Sequence, residues 1–107
     1  MKKQSYESDI SNIKRELSTI FDKEYVCFTQ NCTTGIWALL KALDLKGKKI
    51  ILPVNICFVV PCAIVLSGNI PVFIDIDDSF SASPDLLKKK NDPEIAAMIY
   101  PYNNGNI

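Results

Sequence analysis

The sequence predicts an α/β fold in three layers, with helices on both faces of a mostly parallel sheet. Segments typical of helices and of strands alternate along the chain in the order α-β-α-β-α-β-α-β. The strand segments lack polar alternation, which indicates that both faces of each strand are covered. No repeat or low-complexity tract interrupts residues 1–107, and we therefore expect one continuous domain.

Helical features mark four segments, which span residues 8–22, 33–45, 57–67 and 84–90. In the first segment, apolar residues recur every three or four positions, as on one face of a helix. Gly47 and Gly68 follow the second and third segments and are typical stop signals. Ser83 can cap the fourth helix, and Pro84 suits its first position.

Strand-forming residues mark four further segments, which span residues 25–29, 49–52, 72–76 and 94–100. We expect Tyr25–Thr29 to form a short buried strand. Because right-handed crossovers place successive strands in one parallel sheet, we expect residues 49–52, 72–76 and 95–100 to be adjacent parallel strands.

The composition excludes several classes of function. Twelve basic residues balance twelve acidic ones, so the basic excess that coats nucleic acid is missing. The chain has no histidine, which excludes Ser–His or Cys–His catalysis within it and the usual histidine-containing zinc sites. Neither a signal peptide nor an apolar run long enough to span a membrane is visible, and we expect a cytoplasmic protein.

Four cysteines lie at positions 27, 32, 57 and 62, in two C-x4-C pairs. This spacing does not favour a zinc site or a disulfide framework, and we interpret the cysteines as small apolar residues in a reducing compartment. A thiol function for Cys32 at a helix start stays open, because a helix N-terminus stabilises a thiolate.

The connection from Phe28 to Gly35 is the most informative loop. It runs from a predicted strand into a helix, where free backbone N–H groups and the hydroxyls of Thr33 and Thr34 can form an anion pocket. The alternative is ordinary helix capping by Asn31 or Thr33. Neither a G-x-G-x-x-G nor a Walker nucleotide motif occurs in the chain.

Three other features favour structural interpretations. Asp75, Asp77 and Asp78 follow a predicted strand, and we interpret them as a solvated turn, with a metal site as the alternative. Trp37 and Phe58 are predicted to be core residues rather than ligand-stacking rings.

The order of the motifs resembles that of the DegT/StrS sugar aminotransferases. Asn31–Leu39 is similar to their Ser-Gly-Thr-x-Ala-Leu segment, and Ile51–Pro53 to the strand and proline before their cofactor-stacking helix. Gly68–Asp77 resembles their Gly-x-x-Pro-Val-Phe-x-Asp-Ile-Asp segment. Pro101 and Gly105 are similar to a later proline-to-glycine stretch. The resemblance covers roughly residues 8–107.

The resemblance implies a pyridoxal-phosphate enzyme of the aspartate-aminotransferase fold. Such enzymes, cytoplasmic and expected to be homodimers, pass an amino group from glutamate to a keto-sugar nucleotide for surface polysaccharides or related sugars. None of the lysines here matches the Schiff-base motif. The chain thus resembles an N-terminal part of the large domain that is inactive alone, with no catalytic residue and no metal site of its own.

The resemblance assigns cofactor binding to four residues, Cys32, Thr33, Thr34 and Cys57. Cys32 stands where the family usually has glycine, Cys57 where many members have a stacking aromatic ring, and Asn103 near a common histidine. The family fold also places strand 49–52 between the other two and leaves Tyr25–Thr29 without its partner strand. The alternative function is a non-enzymatic α/β module that retains only an anion-binding corner.

Overall fold

The computed structural model describes residues 2–90 and 92–105. Apart from one predicted strand, its elements follow the expected order. The helices are α1 (Lys2–Phe21), α2 (Cys32–Ala42), α3 (Val59–Leu66) and α4 (Pro84–Lys89), the strands are β1 (Lys49–Pro53), β2 (Ile70–Ile74) and β3 (Ile95–Met98), and a short 3-10 helix spans Asn103–Gly105. None of the helices in these described ranges is long and apolar enough to cross a membrane.

The three strands form one parallel sheet in the order β2-β1-β3. This order confirms the predicted parallel neighbours, with β1 between the other two. β3 is shorter than the predicted segment 94–100, and its register against β1 shifts between Lys49 and Ile50. The Lys49 N–H still donates to the Glu94 carbonyl at 3.2 Å, so pairing with β1 begins before the shift.

Helices cover both faces of the sheet and confirm the three-layer arrangement. On one face, α2 and α3 pack against β1 through a buried cluster of Leu40, Ile50, Leu52, Val60 and Ile64. On the other face, α4 and the segment after β2 pack against a second cluster of Ile51, Ile74 and Ala82. Alternate residues of β1 enter the two clusters, so the middle strand is buried from both sides.

The strand β2 forms an edge of the sheet, and its outer side offers fewer groups for further pairing than an ordinary edge. The Ile70 N–H donates to the Lys48 carbonyl at 2.8 Å, so β2 begins two residues before its predicted start. Pro71 and Phe73 alternate with the residues that bond to β1 and present their backbone outward. Pro71 has no N–H, and the Phe73 carbonyl accepts a hydrogen bond from the Lys90 ammonium at 3.4 Å.

A buried asparagine joins the two connections at the amino end of the sheet. Asn69 is 5% exposed. Its Oδ1 accepts the Lys48 N–H at 3.0 Å, and its Nδ2 donates to the Leu45 carbonyl at 2.9 Å and to the Ser67 hydroxyl at 2.8 Å. One side chain thereby satisfies two backbone groups of the connection that leads from α2 into β1.

The segment Tyr25–Thr29 forms no strand, and the prediction of a buried strand there is wrong. The segment is irregular, and Tyr25 is 83% exposed. Strand-forming residues need a neighbouring strand to satisfy their N–H and C=O groups, and none of the strands in the described residues lies beside this segment. The absence of a partner agrees with the arrangement that the family resemblance implies.

The helix α1 stands apart from the layered body. The closely packed pairs are β1 with β2, β1 with β3, α2 with α3 and α3 with β2, and α1 belongs to none of them. The described chain measures 56 × 30 × 24 Å. This elongation follows from a 20-residue helix, about 30 Å long by its rise per residue, that extends away from the sheet.

Candidate functional site

The first turn of α2 is fixed by Asn31. This residue is extended (φ −160°, ψ 171°), and its Oδ1 accepts the Thr34 N–H at 2.8 Å. The Thr29 hydroxyl donates to the Asn31 carbonyl at 3.0 Å. Capping by Asn31, one of the two interpretations of this loop, is therefore confirmed.

Gly35 allows the helix to approach the turn that precedes it. A β-carbon at this position would lie 3.0 Å from the Thr29 hydroxyl oxygen. Such a contact would displace Thr29 and weaken its hydrogen bond to Asn31. Glycine at the fourth position of α2 thus preserves the geometry of the helix start.

Capping leaves backbone donors without acceptors at this helix start. The N–H groups of Cys32 and Thr33 have no acceptor within the described residues, because they precede the first intrahelical bonds. Thr33 is half-buried, whereas Cys32 and Thr34 are exposed. The Thr34 amide is occupied by Asn31, so the backbone donors available to an anion are those of Cys32 and Thr33, beside two hydroxyl groups.

A cavity of about 280 Å³ adjoins these groups. It is lined by Thr33, Thr34, Trp37, Ala63 and Leu66. Trp37 is 41% exposed and donates from Nε1 to the Leu66 carbonyl at 3.3 Å. The prediction that Trp37 is a core residue is wrong, because its indole forms a cavity wall between α2 and α3. The spacing of Thr34 and Trp37, three residues apart on one helix face, is the signal that could have indicated this.

Cys57 lies in the exposed connection between β1 and α3. Its carbonyl accepts the Val60 N–H at 3.0 Å at the start of α3. In the portion of the chain that the structure describes, no hydrogen bond joins Cys57 to the start of α2. Phe58, predicted to be in the core, is 74% exposed. The structure therefore groups Cys32, Thr33 and Thr34 at the start of α2 and has Cys57 on the loop after β1. Whether the two meet at one site stays a prediction.

The connection after β2 contains a tight turn that is anchored to the loop after β1. The Asp77 N–H donates to the Ser81 carbonyl at 3.0 Å, and Phe80 adopts a positive φ of 60°. The Asn55 side chain donates to the Phe80 carbonyl at 2.9 Å and links the turn to the loop after β1. A larger cavity of about 720 Å³ lies between this turn and Tyr100.

One aspartate of this connection, Asp77, forms hydrogen bonds within the turn. Hydrogen bonds from the Ser79 hydroxyl and then its backbone N–H hold the pKa of Asp77 below its usual range. Asp75 and Asp78 are exposed. Among the residues described, 2–90 and 92–105, no group of three His, Cys, Asp or Glu side chains is placed to hold a metal ion.

All four cysteines are free and exposed. None of them lies in either core cluster, so these small side chains have no packing role in the core. Asn103, which stands near a histidine position of the resembled family, begins the short 3-10 helix and is half-buried.

Comparison with known proteins agrees with the fold. A model of the DegT/DnrJ/EryC1/StrS aminotransferase family matches residues 4–105. The 3-oxo-glucose-6-phosphate:glutamate aminotransferase of Bacillus subtilis (strain 168) is 31% identical over 86 residues, covering 78% of this chain and 20% of that protein. The crystal structure of the aminotransferase TlmJ from Streptoalloteichus hindustanus has a TM-score of 0.57 and 28% identity, covering 63% of this chain and 19% of that one.

The parallel sheet and its covering helices define an α/β protein of the aminotransferase type. The chain belongs to the DegT/DnrJ/EryC1/StrS aminotransferase family. It spans about a fifth of the length of the curated relative that it matches.

Proposed function

We propose that this chain supplies a phosphate-binding corner of a pyridoxal-phosphate-dependent aminotransferase that acts on keto sugars. The observation that supports this proposal is the start of α2, where two free amides and two threonine hydroxyls meet beside a cavity. Family membership adds the cofactor class, since the matching enzymes are aminotransferases. The chain's own role is to bind and orient a phosphate ester, not to carry out the transfer.

The donors at the helix start suit the phosphate of the cofactor. The N–H groups of Cys32 and Thr33 and the Thr33 hydroxyl can donate to phosphate oxygens, and the positive end of the α2 dipole favours a dianion. The indole of Trp37 and the side chain of Leu66 bound the cavity beside them. When bound, the pyridoxal ring would supply an electron sink for the amino-group transfer.

The residues around this cavity include no lysine. A covalent attachment point for the cofactor is therefore missing from the corner itself, which supports the proposal that the 107 residues alone do not transaminate. We expect purified chain, incubated with glutamate, pyridoxal phosphate and a keto-sugar nucleotide, to form no 2-oxoglutarate. Sustained, substrate-dependent formation of 2-oxoglutarate would overturn this part of the proposal.

The proposed substrate class is a phosphorylated or nucleotide-linked keto sugar, with glutamate as the amino donor. The matched protein of Bacillus subtilis is named for a 3-oxo-glucose 6-phosphate and glutamate. For this chain, the same class is supported by family membership and by the order of motifs from residues 31–39 to 68–77.

Binding at the corner can be measured through Trp37, the only tryptophan in the chain. We expect pyridoxine 5′-phosphate, which lacks the aldehyde and cannot form imines with lysines, to change Trp37 fluorescence saturably. Pyridoxine without phosphate should not. Thr33→Val keeps the side-chain size and removes the hydroxyl, and we expect it to weaken binding by about 1–3 kcal/mol, the range of one charge-assisted hydrogen bond.

Two variants serve as comparisons. Thr19→Val makes the same chemical change on α1, where the hydroxyl bonds to the Arg15 carbonyl at 3.1 Å, and should leave binding unchanged. Cys57→Ala should weaken binding less than Thr33→Val, because a thiol offers little stacking area. If Cys57→Ala abolished the fluorescence change and Thr33→Val did not, the site would lie at the loop after β1 instead.

A further inference from the structure

Trp37 is a large aromatic side chain that the core does not use. It belongs to neither of the two core clusters, and 41% of it is exposed. Such a ring leaves a large apolar surface in water, and exposed tryptophans of this kind often serve recognition. Its position gives this one a candidate role, because it lines the cavity that begins at Thr33 and Thr34.

The indole of Trp37 is held in one orientation. Its Nε1–H donates to the carbonyl of Leu66, the last residue of α3, at 3.3 Å. Trp37 follows Thr33 by four residues and Thr34 by three, which places the ring on the side of α2 that carries the two hydroxyl groups. The bond to Leu66 uses the only donor of the indole, so the ring offers a ligand its apolar surface alone.

The cavity is polar at the helix start and apolar beyond it. Thr33 and Thr34 contribute hydroxyl groups, whereas the rest of the lining consists of Trp37, Ala63 and Leu66. A sugar ring carries a hydroxyl group on nearly every carbon, and burying these groups against apolar side chains costs free energy. The face of an aromatic ring is apolar and packs against the same wall without that cost.

The volume of the cavity also limits what it can hold. At about 280 Å³, it lies just below the range of about 300–1,000 Å³ that is typical of pockets for drug-sized ligands. A single ring fits this space, and a nucleotide-linked sugar does not. Lining and volume therefore both favour a small aromatic ester over the proposed sugar substrate.

We propose that Trp37 is a specificity-determining residue of the phosphate-binding corner, whose indole packs against the ring of an aromatic phosphate ester and so selects it over sugar phosphates. The inference rests on the proposed function for the phosphate contacts and adds the residue that recognises the rest of the ligand. Thr33 and the neighbouring amides bind the phosphate of any ester, and Trp37 distinguishes between esters. Because different residues make the two contacts, each can be tested separately.

Isothermal titration calorimetry measures both contacts without relying on tryptophan fluorescence. We expect the unmodified chain to bind pyridoxine 5′-phosphate about tenfold more tightly than glucose 6-phosphate, the size of effect that stacking on one aromatic ring gives. Trp37→Leu keeps an apolar side chain and removes the ring. It should lower the affinity for pyridoxine 5′-phosphate about tenfold and leave that for inorganic phosphate unchanged, whereas Thr33→Val should weaken the binding of both.

Two further variants separate recognition from structural damage. Trp37→Phe keeps an aromatic face and loses the bond to Leu66, and it should retain most of the preference for pyridoxine 5′-phosphate. Phe58→Leu removes a ring that is 74% exposed, precedes α3 and does not line the cavity, and it should change neither affinity. Circular dichroism checks that each variant keeps its helix content.

Nuclear magnetic resonance gives a test that needs no substitution. Trp37 is the only tryptophan, so its indole N–H gives a single, unambiguous signal. We expect pyridoxine 5′-phosphate to shift this signal saturably, and inorganic phosphate and glucose 6-phosphate to shift it much less.

The outcomes distinguish this inference from the proposed function. Equal affinities for the two esters, or a Trp37→Leu variant that loses affinity for inorganic phosphate as much as for pyridoxine 5′-phosphate, would overturn the role of Trp37 and leave the phosphate contacts in place. An unmodified chain that binds none of the three ligands would overturn both.

Discussion

Asn69 shows how one side chain positions the strands on which the site depends. Its amide bonds to the Lys48 N–H, the Leu45 carbonyl and the Ser67 hydroxyl, all at 3.0 Å or less. The Asn69 and Ser67 side chains are buried, so water cannot replace these partners freely. The network holds the connection that leads from α2 into β1 against the one that leads from α3 into β2.

Asn69→Ala is expected to lower the free energy of unfolding by about 1–3 kcal/mol, because it leaves the Lys48 N–H and the Leu45 carbonyl without partners. Urea denaturation followed by circular dichroism measures the change. Asn12→Ala is the control, since Asn12 lies on the exposed face of α1 and only accepts a bond from Arg15 at 3.2 Å. Equal losses in both variants would mean that the buried network contributes nothing specific.

Individual residues were predictable from the sequence where a local rule determines their role. Asn31 before the first turn and the two threonines after it indicate a helix start with free donors, and the structure places them there. Trp37 and Phe58 were not predictable, because hydrophobicity alone does not distinguish a buried ring from one on an uncovered surface. Whether Cys57 joins the corner stays a prediction.

At the scale of elements, an ion-pair cluster attaches β3 to the sheet. The Lys49 ammonium lies 2.7 Å from the Asp92 carboxylate and 2.7 Å from the Glu94 carboxylate. Hydrogen bonds to Asp92 and then to Glu94 raise the pKa of Lys49, and the bond from Lys49 lowers the pKa of Asp92. The cluster lies where the register between β1 and β3 shifts, so it fixes the strand where backbone pairing is irregular.

These pKa shifts predict how the cluster depends on pH. The lowered pKa of Asp92 contributes stability above its unfolded value of about 4, and this contribution is lost as the pH falls through the lower folded value. The raised pKa of Lys49 contributes stability below its unfolded value of about 10.4, and this is lost only at higher pH. The cluster therefore stabilises the fold most between these two limits.

We expect Lys49→Met to lower the urea midpoint near neutral pH, and the difference from the unmodified protein to shrink below about pH 4. Lys88→Met is the matched control, because Lys88 pairs with Asp85 at 3.8 Å with both side chains about 80% exposed, and such pairs contribute little. A difference for Lys49→Met that is the same at neutral and acidic pH would show that the lost methylenes matter rather than the charge.

Elements were predictable where their own residues specify them. The helices after Asn31 and Ser83 and the three paired strands have caps, stops and apolar patterns within their own segments. Tyr25–Thr29 has the composition of a strand but no strand beside it, and a strand cannot form without a partner for its backbone. Strand β2 begins two residues before its predicted start, because its register with β1, rather than its own sequence, determines where pairing begins.

The whole molecule is less compact than its length suggests. Its radius of gyration is 16.8 Å, against about 13 Å for a compact domain of this size. The core consists of two small clusters, and large apolar side chains remain exposed on α1, α2 and α3. The body therefore buries too little apolar surface to be strongly stable by itself.

We expect the isolated chain to unfold over a broad thermal transition whose midpoint rises with protein concentration, because association covers the exposed apolar surface. Differential scanning calorimetry over a range of concentrations measures this. A sharp, reversible transition at the same midpoint across that range, from a protein that light scattering shows to be monomeric, would contradict the expectation.

The two edges of the sheet differ in a way that limits how many neighbours it can recruit. Pro71 and the Lys90–Phe73 hydrogen bond obstruct the side of β2, while the outer side of β3 has no strand beside it within the described residues. In the language of polymer chemistry, the two ends of the sheet have unequal reactivity. A strand added beside β2 would meet no N–H at Pro71 and an occupied carbonyl at Phe73, so edge-to-edge association favours a pair through β3 over a continuing stack.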